Sequence, residues 1–516
     1  MPKSRCLLVL EKCMNMKQFK QTHAHIILTG LGNNSFALSR LLAFCSNPFH
    51  GIPVTYSTQI FDQIVKPTIC ICNTMLKAFL LKGELDKTLE MYSHIMHIGL
   101  YPDNYTLPYV LKACAHSKKV QVGEQIHGGV FKLGFDGDIF VGNTLLLMYS
   151  SCARMVEARR LFEEIPERTA VSWTVMISGY SKRGDVDSAR LIFDEAPFKD
   201  RGIWGCMISS YVQNNCFREG LKMFRLMQLT DLDPDEGIFV SLLSACAHLG
   251  SADIGIWIHR HLKRMQFPMS VQLNTALKDM YAKCGNLGLA KNLFDGMRER
   301  DVICWNVMIS GSTMNGDAEN ALALFEQMEK DGFRPNDITF IAVLTAFSYS
   351  GMACKGLQIF DSMKSVYRME PKSEHYGCMI NLLGRAGLFE EAKEIIRKMP
   401  TSCSHSDEAM AWRALLNSCC SHGETSLAEV AAERLVQLER HCGVYVLLSN
   451  MYASSGKYDD ARRMRKDMKD RGVEKTPGCS SIEVNGFIHE FVAGEKTHPQ
   501  MQEIHKVLEK MNDQLE

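Results

Sequence analysis

Residues 171–180 read VSWTVMISGY, and residues 303–312 read ICWNVMISGS. Each is followed by a turn and a second apolar stretch, KRGDVDSARLIFDEAP from Lys182 and MNGDAENALALFEQM from Met314. In the first copy Trp173, Met176, Ile177 and Tyr180 fall at i, i+3, i+4 and i+7, the stripe of an amphipathic helix. Ala189, Ile192 and Phe193 make a second stripe. Between such stripes stands a glycine with an alanine five places on, at Gly184/Ala189, Gly285/Ala290, Gly316/Ala321, Gly387/Ala392, Gly423/Ala428 and Gly456/Ala461. Glycine suits the left-handed residue that ends a helix, and a small alanine lets the second helix approach the first closely. The spacing predicts repeated pairs of helices, with no strand pattern in competition.

The repeat tiles the chain as 69–103, 104–138, 139–169, 170–200, 201–235, 236–270, 271–301, 302–336, 337–372 and 373 to about 406. One helix hairpin cannot cover both of its faces, so stacked neighbours must supply the core. The fold expected is all-α, a right-handed superhelical solenoid of helix-turn-helix repeats with an inner groove.

Composition narrows the function. In 516 residues, 58 Lys and Arg balance 58 Asp and Glu, so no global basic field advertises a nucleic acid; a basic stretch would have to be local. Apolar runs such as VYVLLS from Val444 are far short of the roughly 18 residues of a membrane span, and no membrane partner is expected. The 19 cysteines are spread evenly beside large apolar residues, as in SACAHLG (244–250), which reads as reduced core thiols. None has C-x-x-C spacing, and His422-Gly423-Glu424, a match to the H-x-E half of a zinc deaminase signature, contains the turn glycine of its own repeat. There is neither a nucleophile elbow nor a phosphate-cradling glycine loop. The expectation is a protein that is not an enzyme, with no catalytic residues, metal or cofactor.

A tetratricopeptide array also stacks helix pairs of about 34 residues. Here the repeats cycle through lengths of 35, 35 and 31, the W-x-L-G pattern is missing, and many repeats have Asn or Thr fifth and Asp or Asn last. In these respects the chain resembles the plant pentatricopeptide repeat proteins of the PLS type. P-like repeats are 69–103, 201–235 and 302–336; L-like repeats include YTLPYVLKACAHSKKVQVGEQIHGGVFKLGF, GIFVSLLSACAHLGSADIGIWIH and the repeat from Asp337. S-like repeats include LLLMYSSCARMVEARRLFEEIPER and ALKDMYAKCGNLGLAKNLFDGMRERD. LLVLEKCMNMKQFKQTHAHIILTG looks like a further L motif, so residues 1–68 are assigned to degenerate N-terminal repeats and 69–406 to the array. Residues 407–476 resemble the family's E extension, and 477–516, with PGCSSIEVNGFIHEFVAGEKTHPQ, its E-plus segment; Ser481 stands where the family usually has Trp. The sequence stops at Glu516, before the place where the family's DYW deaminase would begin.

The resemblance implies that the fifth and last residues of each repeat read one RNA base. The pairs are Asn73/Asp103, Asn143/Thr169, Thr174/Asp200, Thr275/Asp301 and Asn306/Asn336. Amides and hydroxyls can meet the Watson–Crick edge of an unstacked base, and the last residue would fix its partner or a bridging water. By the family's code the repeats spell U-n-Y-G-n-n-G-Y, with side chains such as Val171 and Ile303 wedged between bases. Pro108, Gly205, Val240, Ile341 and Gly377 depart from the code and imply permissive positions. Lys182, Lys283 and Arg385, each thirteenth in its repeat, are candidates for phosphate contact.

What the family implies is a site-recognition factor for organellar C-to-U RNA editing. Its partners would be single-stranded organellar RNA, a DYW-type deaminase in trans and accessory editing factors. Alternatives are a factor for transcript stability, splicing or translation, and a protein-binding scaffold of the tetratricopeptide kind. The organelle implied is the mitochondrion, with the chloroplast as alternative; the basic start MPKSRC runs straight into repeat sequence and leaves little room for a cleavable leader.

Overall fold

The computed structural model describes residue 13 and residues 16–32, 34–46, 52–297, 299–400, 404–439, 441–474, 478–484, 487–493 and 500–512. The first residues of the N-terminal L-like motif, LLVLEK, and the MPKSRC start lie outside the described residues. The chain divides into two compact parts, residues 1–235 and 236–516. Each is built of consecutive helix pairs.

In the first part, helices Met16–Ile26, Ser35–Cys45 and Val54–Phe61 precede five pairs. These are Ile69–Leu81 with Leu85–His97, Thr106–Ser117 with Val120–Leu133, Ile139–Ser151 with Met155–Glu164, Ala170–Ser181 with Val186–Glu195, and Arg201–Gln213 with Phe217–Met227. The second part continues with Glu236–Leu249 and Ala252–Arg264, Val271–Lys283 and Leu287–Asp295, Val302–Met314 and Ala318–Lys330, Asp337–Ser350 and Ala353–Ser365, and Ser373–Arg385 and Phe389–Arg397. The residues read as an E extension form two further pairs, His405–His422 with Thr425–Leu438 and Cys442–Ser454 with Tyr458–Asp470. Within each part, then, the described helices form the stacked helix-turn-helix repeats of the expected α-solenoid fold. No described helix is long and apolar enough to cross a membrane.

Within each part the first helix of a repeat packs on its own second helix and on the first helix of the next repeat. This buries the quoted stripes: Trp173, Met176, Ile177, Trp305, Met308 and Ile309 are core residues, as are the six alanines of the punctuation. The turn between the helices needs a left-handed residue, and the fifteenth place of all ten repeats has positive φ; Gly184 and Gly285 stand at 80° and 82°. The repeat boundary carries its own contact. Phe162, Phe193 and Phe294, each twenty-fourth in a 31-residue repeat, meet Trp173, Trp204 and Trp305 edge to face at 4.8–4.9 Å. Arg168, Lys199 and Arg300, each next to last in the same repeats, lie over those phenylalanine rings at 4.9, 5.2 and 4.4 Å.

A second recurring contact joins histidine to tyrosine one repeat on. His23, His127 and His259 share hydrogen bonds of 2.7–2.8 Å through Nδ1 with the hydroxyls of Tyr56, Tyr149 and Tyr281. Burial pushes the pKa of all three histidines below the ordinary value.

One element departs from the helical expectation. In the segment read as E-plus, β1 (Cys479–Val484) pairs antiparallel with β2 (Phe487–Val492), Val484 opposite Phe487 and Cys479 opposite Val492. Helix Met501–Asn512 follows.

Candidate nucleic-acid interface

The tiling and the helices share one frame: Ile139, Ala170, Arg201, Val271, Val302 and Asp337 each open both a repeat and a helix. The last residue of the preceding repeat is therefore the N-cap. Asp200 Oδ1 accepts from Ile203 N at 2.8 Å, Asp301 Oδ1 from Cys304 N at 2.8 Å, and Asn336 Oδ1 from Thr339 N at 3.1 Å. The fifth residue of a repeat, one turn into its first helix, lies beside the cap that begins the next repeat's first helix.

Three of the five expected pairs are hydrogen-bonded. Asn73 Nδ2 donates to both carboxylate oxygens of Asp103 at 3.0 and 3.2 Å, Asn143 Nδ2 to Thr169 Oγ1 at 3.1 Å, and Asn306 Nδ2 to Asn336 Oδ1 at 3.0 Å. A third side chain joins each pair, the third residue of the following repeat. Thr106, Ser172 and Thr339 donate their hydroxyls to the Oδ1 of Asn73, Asn143 and Asn306 at 2.7, 2.6 and 2.6 Å.

The two threonine pairs are built differently. Thr174 Oγ1 returns to Val171 O at 3.0 Å, and Thr275 Oγ1 returns to Val271 O at 2.7 Å and lies 3.0 Å from Cys304 Sγ. Asp200 and Asp301 serve as caps beside them. Beneath the second pair lies the fully buried Lys278, its ammonium 3.1 Å from Met297 Sδ and 5.1 Å over Phe294. Burial pushes the Lys278 pKa down, against the opposing pull of Cys304 and Asp301.

Two of the carboxylates stay ionised for a physical reason. Burial pushes Asp103 upward, but donation from the Thr106 N–H and hydroxyl, Asn73 and the Tyr105 N–H outweighs it and holds the pKa below the ordinary carboxylate value. Asp301 is likewise pushed up by burial and held down by the Cys304 thiol and N–H and by Lys278.

The L-like repeats lack a polar fifth residue and join their first residue to their last instead. Asn104 Nδ2 donates to Asp138 Oδ2 at 3.3 Å, Ser270 Oγ to Glu236, and Lys372 Nζ to Asp337. Nothing in the residue types at the fifth position foretold this second wiring.

Five of the ten second places carry large exposed apolar side chains. Val171 and Ile303 are exposed as expected, and Tyr105, Phe140 and Ile338 share that place, the five ranging from 54% to 75% exposed. The sequence reading missed these three although their position in the tiling marks them. The three cations differ from one another. Lys182 is exposed, Lys283 bonds Asp279 at 2.8 Å, and the Arg385 guanidinium lies 5.3 Å over Tyr349. His422 Nε2 lies 3.2 Å from Arg385 O, and no group of three metal-ligating side chains occurs among the described residues.

Family models match along the chain: the E motif at residues 422–483, the PPR repeat family at 300–349, and the PPR repeat at 171–197, 202–229, 276–302 and 374–403. Arabidopsis thaliana has a chloroplastic pentatricopeptide repeat-containing protein, At1g08070, 36% identical over 99% of this chain and 82% of its own length. A second from the same plant, At2g20540, is 39% identical over 97% of this chain and 93% of its own. Among solved structures, the pentatricopeptide repeat protein PPR10 in complex with an 18-nt psaJ RNA element aligns over 92% of this chain and 82% of that one, at 14% identity and a TM-score of 0.45. On these two plant relatives, each matched over more than four fifths of its length, the chain belongs to the pentatricopeptide repeat family.

Proposed function

We propose that this protein binds single-stranded organellar RNA sequence-specifically, selects sites of C-to-U editing, and recruits a deaminase in trans. The observation that carries the reading is a register: three hydrogen-bonded amide pairs recur at the fifth and last places, each accompanied by an exposed second-place side chain, Cys70, Phe140 or Ile303. Unstacked bases are recognised by hydrogen bonds to their Watson–Crick edges and by stacking, and this register offers both. The E motif supports editing as the process served. Chemistry at the cytidine is assigned to a DYW-type deaminase with accessory editing factors. The organelle in this reading is the mitochondrion; the chloroplastic name of one relative speaks for the alternative.

The test is a comparison of organellar transcripts between wild-type and null plants. Editing should be lost at one or a few cytidines lying a few nucleotides 3′ of U-n-Y-G-n-n-G-Y. An unchanged editing pattern with a shortened or unspliced transcript would replace the editing role with transcript maintenance. In vitro, Thr275→Asn should move preference at its own base from guanine toward uracil by about tenfold and leave the other bases alone. Equal loss of affinity for all four bases there would mean that Thr275 serves the helix and not the RNA.

A further inference from the structure

From the three hydroxyl-linked amides we infer that Thr106, Ser172 and Thr339 are specificity-determining positioning residues: each fixes which way the reading amide of the preceding repeat faces, and so lets it tell uracil from cytosine. The inference rests on the RNA reading proposed above.

An asparagine amide is nearly symmetric in shape, so its partners decide which end is oxygen and which is nitrogen. Ser172 Oγ accepts from Thr169 N at 3.1 Å, which leaves its single proton for Asn143 Oδ1 at 2.6 Å. Thr106 Oγ1 accepts from Asp103 N at 3.2 Å and Thr339 Oγ1 from Asn336 N at 3.0 Å; the Thr339 proton faces Asn306 Oδ1 at 2.6 Å with Asn336 Oδ1 farther off at 3.1 Å, whereas the Thr106 proton is shared between Asn73 Oδ1 at 2.7 Å and Asp103 Oδ1 at 2.8 Å. At Ser172 and Thr339 the backbone N–H thus directs the hydroxyl, and the hydroxyl directs the amide. One N–H and one lone pair remain for the base. Uracil presents O4 and N3–H where cytosine presents N4–H and N3, so acceptor and donor are exchanged along the same edge. An amide free to turn over fits both pyrimidines; an amide held one way fits one of them.

Helix capping alone does not explain these hydroxyls. Asp138, Asp200, Ser270 and Asp301 cap their helices with Val141, Ile203, Leu273 and Cys304 at the third place, none of which carries a hydroxyl. In the repeats from 104 to 373 the third-place hydroxyl occurs where the preceding fifth residue is Asn, and Val141, Ile203, Ile238, Leu273, Cys304 and His375 stand there otherwise.

The sharpest site is Asn143, because Thr169 can donate as well as accept and cannot orient the amide by itself. At Asn73 the carboxylate of Asp103 only accepts, and already draws Nδ2 toward it. The experiment uses the full chain and RNAs differing at the base opposite one repeat. Ser172→Ala should reduce the ratio of cytosine to uracil affinity at the 139–169 position from its wild-type value to within about twofold of unity, and Ser172→Thr should restore it. Thr106→Val should change the 69–103 position much less. Thr275→Asn paired with Cys304→Ser should separate uracil from cytosine more sharply than Thr275→Asn alone. A ratio untouched by Ser172→Ala, or a uniform loss for both pyrimidines matched by a lower melting temperature, would overturn the positioning role while leaving RNA reading intact. A wild-type protein indifferent to all four bases would remove the reading and this inference together.

Discussion

Ala153 holds the fifteenth place of its repeat at φ 64°, where seven of the ten repeats have glycine. An L-residue in the left-handed region costs roughly 1–2 kcal/mol, offset in part by the larger entropy that glycine loses on folding. Ala153→Gly should therefore stabilise the protein by about 1 kcal/mol, read as a rise of about 1–3 °C in melting temperature. Asn215, at φ 61°, tolerates this conformation better, and Asn215→Gly should yield less. A drop in melting temperature for Ala153→Gly would show that the turn is not strained. Both residues were legible as turn positions once the tiling was drawn, since the repeat places them where Gly184 and Gly285 stand. The hydroxyls of Thr106, Ser172 and Thr339 were not, because they belong to the repeat after the one they serve, and a pattern read inside one period does not see across its edge. Lys278 was hidden for another reason: a lysine in a helix reads as solvent-facing, and the sulfur and ring around its ammonium come from Met297 and Phe294, beyond the end of its own helix.

Helices approach closely at three repeats whose twentieth residue is glycine, Gly123, Gly255 and Gly356. A Cβ on Gly123 would lie 2.5 Å from Met148 Sδ, and Gly255 faces Met280 in the same manner. Gly123→Ala should cost about 1–3 kcal/mol, whereas a small residue already fills the matching Ala189; a neutral outcome would mean that Met148 repacks freely. The histidine–tyrosine contacts make the same joints sensitive to acid. A histidine whose folded pKa lies below its unfolded value of about 6.5 binds its proton more weakly in the fold, so its full stability is present above that value and is lost as pH falls through it toward the folded pKa. Thermal melts should show stability falling between about pH 7 and 5, and replacing His23, His127 and His259 together by Gln should flatten that fall. Asp103 and Asp301, with depressed pKa values, keep their contribution until well below this window. An unchanged slope in the triple variant would place the acid sensitivity elsewhere. At this scale the helix pairs were readable from two stripes and a glycine, while the β-hairpin was passed over. Its sequence signal is the Asn485-Gly486 dipeptide between two six-residue runs, CSSIEV and FIHEFV, a pattern of a different period from the helical stripes around it.

On the RNA reading proposed above, a chain with balanced charge holds its ligand by a few local cations, so affinity should fall gently with salt. Each phosphate contact on a single strand contributes about 0.7 to the slope of log affinity against log salt. Lys182→Ala should lower the slope by about that amount and Lys283→Ala by less, since Lys283 bonds Asp279. Equal slopes in all variants would remove these residues from the interface. Deleting residues 407–516 should leave RNA affinity nearly intact and abolish editing in the organelle; restored editing by the truncated protein would refute recruitment by this segment. The hydrogen-bonded triads also say where the chain can be cut. A reading amide, its cap and its hydroxyl run from the fifth residue of one repeat to the third residue of the next. A duplication or an engineered exchange that joins repeats at their helix starts therefore carries an amide into a new setting and leaves its hydroxyl behind. On the proposed reading, the segment that would transmit a base preference whole begins at the fourth residue and ends at the third of the following repeat, so the inheritable unit of meaning would be out of phase with the unit that folds.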